Sequence, residues 1–589
     1  MSRPSATSAE PQSPRHRPGS GTHGHSRRRT LCAAALVVVM GLVAGLPSLW
    51  TRDLWHDEEI RLTEGARESL HSSDGFLPRV NGKLDLTAPQ LPYRATALLW
   101  QAGAGVVSAR LLSVLCIVGM VLVCFAATAR SRGAVGGVMA PAVALTTMAL
   151  FWHVRKGGPG PLWAFLLTCA MLAGYHALER KEGRRGTFWV LCYGCAALAV
   201  LAVGLSAALL PALVLGGYCL VARKQPGKSA VAHLPGLGVF VGVVALWWAV
   251  VFRTVPEHQA SLRPLVQDFA GLWASVRDGG LLKAVLATPA GLLPWVVLLP
   301  AVVPQAIRKH REPGESLGLF AVIWLGVLVV PAVLGGREGA PDYVIAAVPP
   351  LAILCAGALV SDGAGEAPSK DAMRWPMRIA LAIVGVFAGL VLLAGLLHLA
   401  DVSYLLLGKS HVCPVTDQPY SPYSLVASLP FVAVALASIA VALRTSVGRP
   451  GRRAWLLILA IFLLGIPADL FLPPFINAFR SARPFAEKVV QHIGPEDGLY
   501  LYRKDYDGQY NLYTGRARIP VLQDERQLLE RLAGPGALVI ADEKYLKRID
   551  APFDVTGLQV VGGRVGSRYM LLLRGGSEDK APPDSSKSD

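Results

Sequence analysis

The chain has 589 residues, 53% of them hydrophobic and only 16% charged, with a formal net charge of +17. A water-soluble protein of this length carries about 25% charged residues, so the composition excludes an ordinary soluble enzyme. Nucleic-acid binding is not suggested either: the basic residues concentrate in the N-terminal tail and in short loops between apolar runs, with no basic surface interleaved with aromatic side chains.

Residues 1–29 are rich in Ser, Pro, Gly, His and Arg and have no apolar period, which predicts a disordered basic cytoplasmic tail ending in Arg27–Arg28–Arg29. From residue 30, apolar runs near the ~18–20 residues needed to cross a bilayer recur as far as 472. They fall near 31–50, 109–129, 134–152, 160–179, 187–204, 206–222, 233–252, 286–307, 317–335, 342–360, 377–398, 425–443 and 453–472, about thirteen spans. The first run is too long and too often followed by others to be a cleaved leader. The fold class predicted is mainly α, a polytopic transmembrane helical bundle.

The charges between runs set the orientation. With the N-terminus inside, Arg130–Gly133, Arg180–Gly186, Arg223–Lys228, Arg308–Arg311, Lys370–Arg378 and Arg444–Arg453 become cytoplasmic, and each is rich in Arg or Lys. His153–Lys156 is the basic exception on the other side. The short apolar segment 91–106 would flip every later loop if it spanned, so it is expected to be re-entrant or juxtamembrane, within a first external loop over 51–108. Of the nine cysteines most lie inside apolar runs, and the Cys192–Cys195 pair is expected to serve helix packing rather than zinc or redox chemistry. The loop 253–285 alternates acidic and apolar positions and resembles an amphipathic helix at the membrane surface.

Pro473–Pro474 breaks the last run. Beyond it, an amphipathic pattern over 482–493, strand-like runs at 499–502, 537–541, 558–561 and 569–573, and a helix capped by Asp524 predict a small extracytoplasmic α/β domain over 473–575, followed by a polar, disordered tail at 576–589.

The most informative stretch is residues 54–93. Asp57, Glu58 and Glu59 follow the first apolar run directly, so three carboxylates lie at a membrane face, where charge is costly and usually serves chemistry or binding. A carboxylate there can deprotonate an acceptor hydroxyl or hold a metal ion. Arg61, one helical turn on, can pair with them or grip a phosphate with two parallel hydrogen bonds. The same residues also suit the solvated N-terminal turn of a helix, and the pattern alone does not choose. His56 and His153 lie nearby as candidate proton carriers, although interfacial histidines are common.

The sequence LWHDEEIRLTEGARE, followed by LPRVNGKLDLTAPQLPY, resembles the first external loop of the GT-C membrane glycosyltransferases, in particular the aminoarabinose-transferase and protein O-mannosyltransferase group. Arg61, Glu64, Ala66, Arg67 and Glu68 match in register, as do Pro78, Asn81, Gly82, Pro89 and Leu91. Gly291–Pro300, Pro341 with Tyr343, and Pro349–Pro350 resemble later landmarks. The resemblance implies an inverting enzyme that moves a sugar from a polyprenyl-phosphate carrier to a cell-envelope lipid, glycan or protein acceptor at the outer face of the plasma membrane. It implies no obligatory cofactor, a divalent cation being compatible but not required, and no nucleic-acid partner. It assigns the essential carboxylate to Glu58 in the register fixed by Arg61, or to Asp57 after a one-residue slip. Substrate contacts would come from Glu59, Arg61, Arg79, Asn81, Arg155, Lys156, Arg337 and Tyr343. Three departures stand out: Ala88 and Gln90 replace a Lys and a Pro, the loop 153–163 lacks an acidic residue, and Gly339 takes the place of a further Lys. They keep open a second expectation, a non-catalytic relative that binds polyprenyl lipid or assists an envelope complex.

Overall fold

The computed structural model describes residues 21–71, 77–85, 90–179, 185–223, 230–254, 288–312, 315–334, 336–360, 372–397, 411–412, 419–420, 423–445, 450–470, 473, 476–477, 480–494, 497–549 and 558–576. The expected helix over 253–285, together with Ala88, Pro89 and Cys413, lies outside the described residues, as does the side chain of Arg337.

Apolar sequence on all sides of a helix forces it into lipid or into other helices. The first helix, α1 (Gly21–Gly45), does both: Leu31, Leu36, Val39 and Val43 stay exposed, while Gly41 and Gly45 press against Val118 and Val114. A Cβ at either glycine would come within 2.8 Å of a valine methyl, so α1 approaches α5 (Ser108–Leu145) backbone-close, as helices do in membranes. After α2 (Pro47–Thr51) come α3 (Asp57–Ser69), a small β1–β2 hairpin (Arg79–Val80, Lys83–Leu84) and α4 (Leu91–Leu99). The expected juxtamembrane segment 91–106 is helical and runs on towards α5 through an irregular stretch around Gly103 and Gly105.

The helix α5 (Ser108–Leu145) is continuous except at Gly133, whose φ of 71° and ψ of 175° are not helical. The chain folds back there: Gly137 packs on Ala129, and the Thr128 hydroxyl donates to the Gly137 carbonyl at 3.2 Å. The second arm ends at Thr146–Thr147, and α6 (Met148–His153) carries the chain into the next loop. Then follow α7 (Pro159–Glu179), α8 (Arg185–Val203), α9 (Ser206–Val221) and α10 (Leu234–Thr254). Five later helices, Ser316–Leu334, Gly336–Leu359, Arg374–Leu397, Tyr423–Arg444 and Pro450–Leu470, complete the bundle. The interval 286–307 is not one regular span: a 3₁₀ turn at Trp295–Leu298 precedes the helix Leu299–Lys309. Among the described residues eight helices are long and apolar enough to cross a membrane, and four more are apolar but shorter.

The C-terminal region forms a five-stranded sheet. Strands β3 (Gly498–Tyr502), β4 (Val521–Leu522) and β5 (Ala537–Asp542) are parallel, β7 (Arg568–Arg574) runs antiparallel to β5 and to β6 (Gln559–Val565), and the order across the sheet is β4–β3–β5–β7–β6. The helix Arg483–Gln491 covers one face with Phe485 and Val489, and Glu525–Ala533 covers the other with Leu528 and Leu532. Asp524 caps the second helix by accepting the Gln527 N–H at 2.8 Å.

Candidate active site

Trp55 and Asn477 fix where α3 begins. The Asn477 side chain accepts from the Trp55 indole at 2.7 Å and the Asp53 amide at 3.0 Å, and donates to the Thr51 carbonyl at 3.0 Å. The loop is thereby bolted to the chain just beyond the last membrane helix. Asp57, Glu58 and Glu59 form the first turn of α3, where the helix dipole favours negative charge.

The three carboxylates then part company. Glu59 has no solvent exposure and lies between two buried guanidiniums, Arg52 at 3.3 Å and Arg110 at 3.2 Å. Its other contact is the Gly157 N–H at 3.2 Å. Arg52 also donates to the Arg155 carbonyl and lies 4.2 Å from the centre of the Trp55 ring. Arg155 makes a two-pronged pair with Asp469, near the end of the last membrane helix. Among the described residues three guanidiniums (Arg52, Arg110, Arg155) thus gather around two carboxylates (Glu59, Asp469) in a low-dielectric wall.

Glu58 points the other way, with 45% of its side chain exposed, and Lys156 reaches it at 2.6 Å. Gly157 and Gly158 allow this approach of the second loop. A Cβ at 157 would lie 2.9 Å from Ala109 and 3.1 Å from Glu59, and one at 158 would lie 3.6 Å from a Glu58 oxygen. Asp57 is exposed beside them. His56 packs edge-on to Trp152, and burial, reinforced by Arg52 and Lys156, holds its imidazole down to about 3, so it is neutral at physiological pH.

The remaining candidates go elsewhere. Arg61 pairs with Asp507 of the C-terminal region. Asn81, at a φ of 55°, donates to the Ile519 carbonyl at 2.8 Å and accepts the Ile519 N–H at 2.7 Å and the Asn511 amide at 3.0 Å. Arg79 is half-buried on β1, close to Glu68. Glu64 is buried under Gly508, and burial raises its carboxyl to about 7 despite a two-pronged contact with Arg67 at 2.6 and 2.7 Å. Tyr343 is buried edge-on to Trp163 of α7, 5.2 Å between ring centres. Among the sequence candidates, the structure brings together Asp57, Glu58, Glu59, Arg155 and Lys156. Arg52, Arg110, Asp469 and Gly157, none of them among the sequence candidates, complete the cluster. Arg110 and Asp469 carried a usable signal, since ionisable residues inside apolar runs rarely lack a partner. Among the described residues no group of three or more His, Cys, Asp or Glu side chains is arranged to hold a metal ion.

The helical bundle, with a carboxylate-bearing loop packed against a C-terminal α/β region, has a fold already seen in solved structures. The particular likeness is to ArnT from Cupriavidus metallidurans. Its structure bound to undecaprenyl phosphate superposes with a TM-score of 0.65 at 20% identity, covering 94% of this chain and 99% of that one. The apo form gives 0.66 at 19%, covering 96% and 100%. By sequence, the chain is 24% identical over 334 residues to the undecaprenyl phosphate-α-4-amino-4-deoxy-L-arabinose arabinosyl transferase of Edwardsiella ictaluri, 55% of this chain and 58% of that protein. It is 26% identical over 328 residues to enzyme 1 of the same name from Sodalis glossinidius, 54% and 58%. The match thus spans under two thirds of these curated relatives. No family profile matches the chain.

Proposed function

We propose that this chain is an inverting glycosyltransferase that takes a sugar from a polyprenyl-phosphate carrier and passes it to a cell-envelope lipid, glycan or protein acceptor at the outer face of the plasma membrane. The observation that carries this reading is the Glu58–Lys156 pair at 2.6 Å, which sets an exposed carboxylate beside a half-buried ammonium, above a buried cationic wall.

A sugar–phosphate donor divides that pair between its two ends. The carrier phosphate draws Lys156 away from Glu58 and is held by the ammonium, with the buried guanidiniums behind it. Glu58, released, accepts the proton of the acceptor hydroxyl or amine as that atom attacks the anomeric carbon. The bond from that carbon to the phosphate oxygen breaks, its electron pair leaves on the phosphate, and the configuration inverts. Fixed positive charge aimed at the leaving phosphate supplies the main electrostatic stabilisation. These cations do the work a divalent ion would otherwise do, so chelators are expected to leave the rate unchanged.

Residues 30–472 would form the membrane domain, with the N-terminus cytoplasmic and the 473–575 region outside, which places the carboxylate loop and the C-terminal sheet on one face. The test is transfer from a polyprenyl-phosphate-linked sugar by purified protein in detergent or liposomes. Glu58→Gln should lower kcat by about 10²–10⁴-fold, Lys156→Ala should raise KM for the donor, and Asp57→Asn should keep most of the activity. Full transfer by Glu58→Gln would end the assignment of the base. Ala88 and Gln90, standing where the resemblance has Lys and Pro, favour one rival: a non-catalytic lipid-binding relative, which would bind polyprenyl phosphate and turn over no lipid-linked sugar.

A further inference from the structure

Twenty-two residues along the first arm of α5, at about 1.5 Å each, put Arg132 about 33 Å from Arg110, close to the ~30 Å thickness of a bilayer's hydrocarbon core. The fold-back at Gly133 therefore lies at the membrane face opposite the carboxylate loop. There the chain reversal, the end of the Leu299–Lys309 helix, the start of Ser316–Leu334 and the end of Gly336–Leu359 enclose a cavity of about 40 Å³. By volume it accepts about three water-sized groups.

Its lining is divided. Leu317, Ile353 and Leu354 supply an apolar floor, and Arg132, Gln305, Lys309 and Glu315 supply a polar rim. Arg132 is tied to Glu315 at 2.6 Å. Gln305 is only 7% exposed, and its amide oxygen is enclosed with no hydrogen-bond partner among the described residues. A buried amide left so costs about 1–3 kcal/mol, which a donor group entering the cavity would recover. Lys309 is half-buried on the same helix one turn further on.

We propose that this cavity takes the hydroxyl or ammonium end of a glycerophospholipid headgroup from the leaflet opposite the carboxylate loop, with the phosphodiester held at its rim. The phosphodiester oxygens take Lys309 and Arg132. A hydroxyl or ammonium on the headgroup donates to the Gln305 amide oxygen and to Glu315. The headgroup zone of a bilayer supplies this combination of anion and donor at high local concentration, and basic clusters beside spans recognise it. The inference rests on the chain being a polytopic membrane protein and is independent of any transferase activity.

The test is native mass spectrometry of the full chain released from micelles containing equal amounts of phosphatidylglycerol, phosphatidylethanolamine and phosphatidylcholine, with thermal shift as a second readout. Wild type should retain phosphatidylglycerol or phosphatidylethanolamine over phosphatidylcholine, whose choline offers no N–H or O–H. Lys309→Gln, at a helix end where it should fold normally, should weaken retention roughly tenfold, the loss of one charged hydrogen bond. Gln305→Leu should abolish the preference over phosphatidylcholine while keeping the fold. Equal retention of all three lipids, or unchanged retention by Lys309→Gln, would overturn the proposal. So would inorganic phosphate alone giving the full thermal shift, because the site would then be an ion site rather than a lipid site.

Discussion

Glu59 offers a sharp test of how this site is held together, because its resemblance-based role and its place in the structure differ. Replacing it with Gln keeps the shape and the acceptor for the Gly157 N–H but removes the charge between Arg52 and Arg110. All three side chains are almost wholly buried. Breaking a buried ion pair by deleting one partner costs about 3–5 kcal/mol, because the remaining charge is left uncompensated. Here two guanidiniums lose their partner, so the upper part of that range is expected. The half-exposed Glu58–Lys156 pair next to it is worth about 0–1 kcal/mol. In heat-denaturation assays on detergent-purified protein, Glu59→Gln should therefore lose several degrees of stability while Glu58→Gln stays near wild type. In transfer assays the order reverses in kind: Glu58→Gln should be stable and inactive, and Glu59→Gln should lose activity in proportion to its loss of folded protein. A combined Glu59→Leu, Arg52→Met, Arg110→Met variant should regain stability that Glu59→Gln lost, since apolar replacement of a whole buried ion cluster is often neutral or stabilising. A Glu59→Gln protein as heat-stable as wild type but devoid of transfer would refute the reasoning, and Glu59 would then take part in the chemistry itself.

Three further outcomes follow from the same geometry. Because the folded state holds His56 at about 3, down from 6.5, an unfolded chain takes up that proton first; His56 thus contributes stability above pH 6.5 that is lost as the pH falls towards 3, and His56→Phe should flatten the stability profile over that window. Asn81→Ala removes three hydrogen bonds to Ile519 and Asn511 and leaves an Ala at φ 55°, a loss of about 2–4 kcal/mol at the junction; limited proteolysis should release the C-terminal region faster, and Asn81→Gly should recover about 1 kcal/mol of it. Gly157→Ala pushes a Cβ to 2.9 Å from Ala109, whereas Gly158→Ala meets Glu58 at an ordinary 3.6 Å, so the first should cost about 1–3 kcal/mol and displace Lys156 and the second should be tolerated; equal activity of the two would show that the second loop is not held by this contact.

Length and pattern of apolar residues settled much of this protein in advance. A bilayer leaves a chain with few options for satisfying its backbone, so uninterrupted apolar runs become helices whatever they pack against, and the Asp57–Glu59 cluster is visible as charge that a membrane protein would not keep idly. Composition likewise announced the change to sheet beyond Pro473. What the pattern did not contain is which carboxylate faces which way. Neighbours on a helix are separated by about 100°, so Glu58 and Glu59, equal in sequence, end on different faces of the same turn, one towards Lys156 and one into the Arg52–Arg110 wall. Those arginines come from two separate elements, the second-loop glycine from a third and Asp469 from a helix some four hundred residues away. Tertiary packing alone decides such meetings, because a buried charge takes its partner from whatever the fold brings near, and distance along the chain carries no record of that choice.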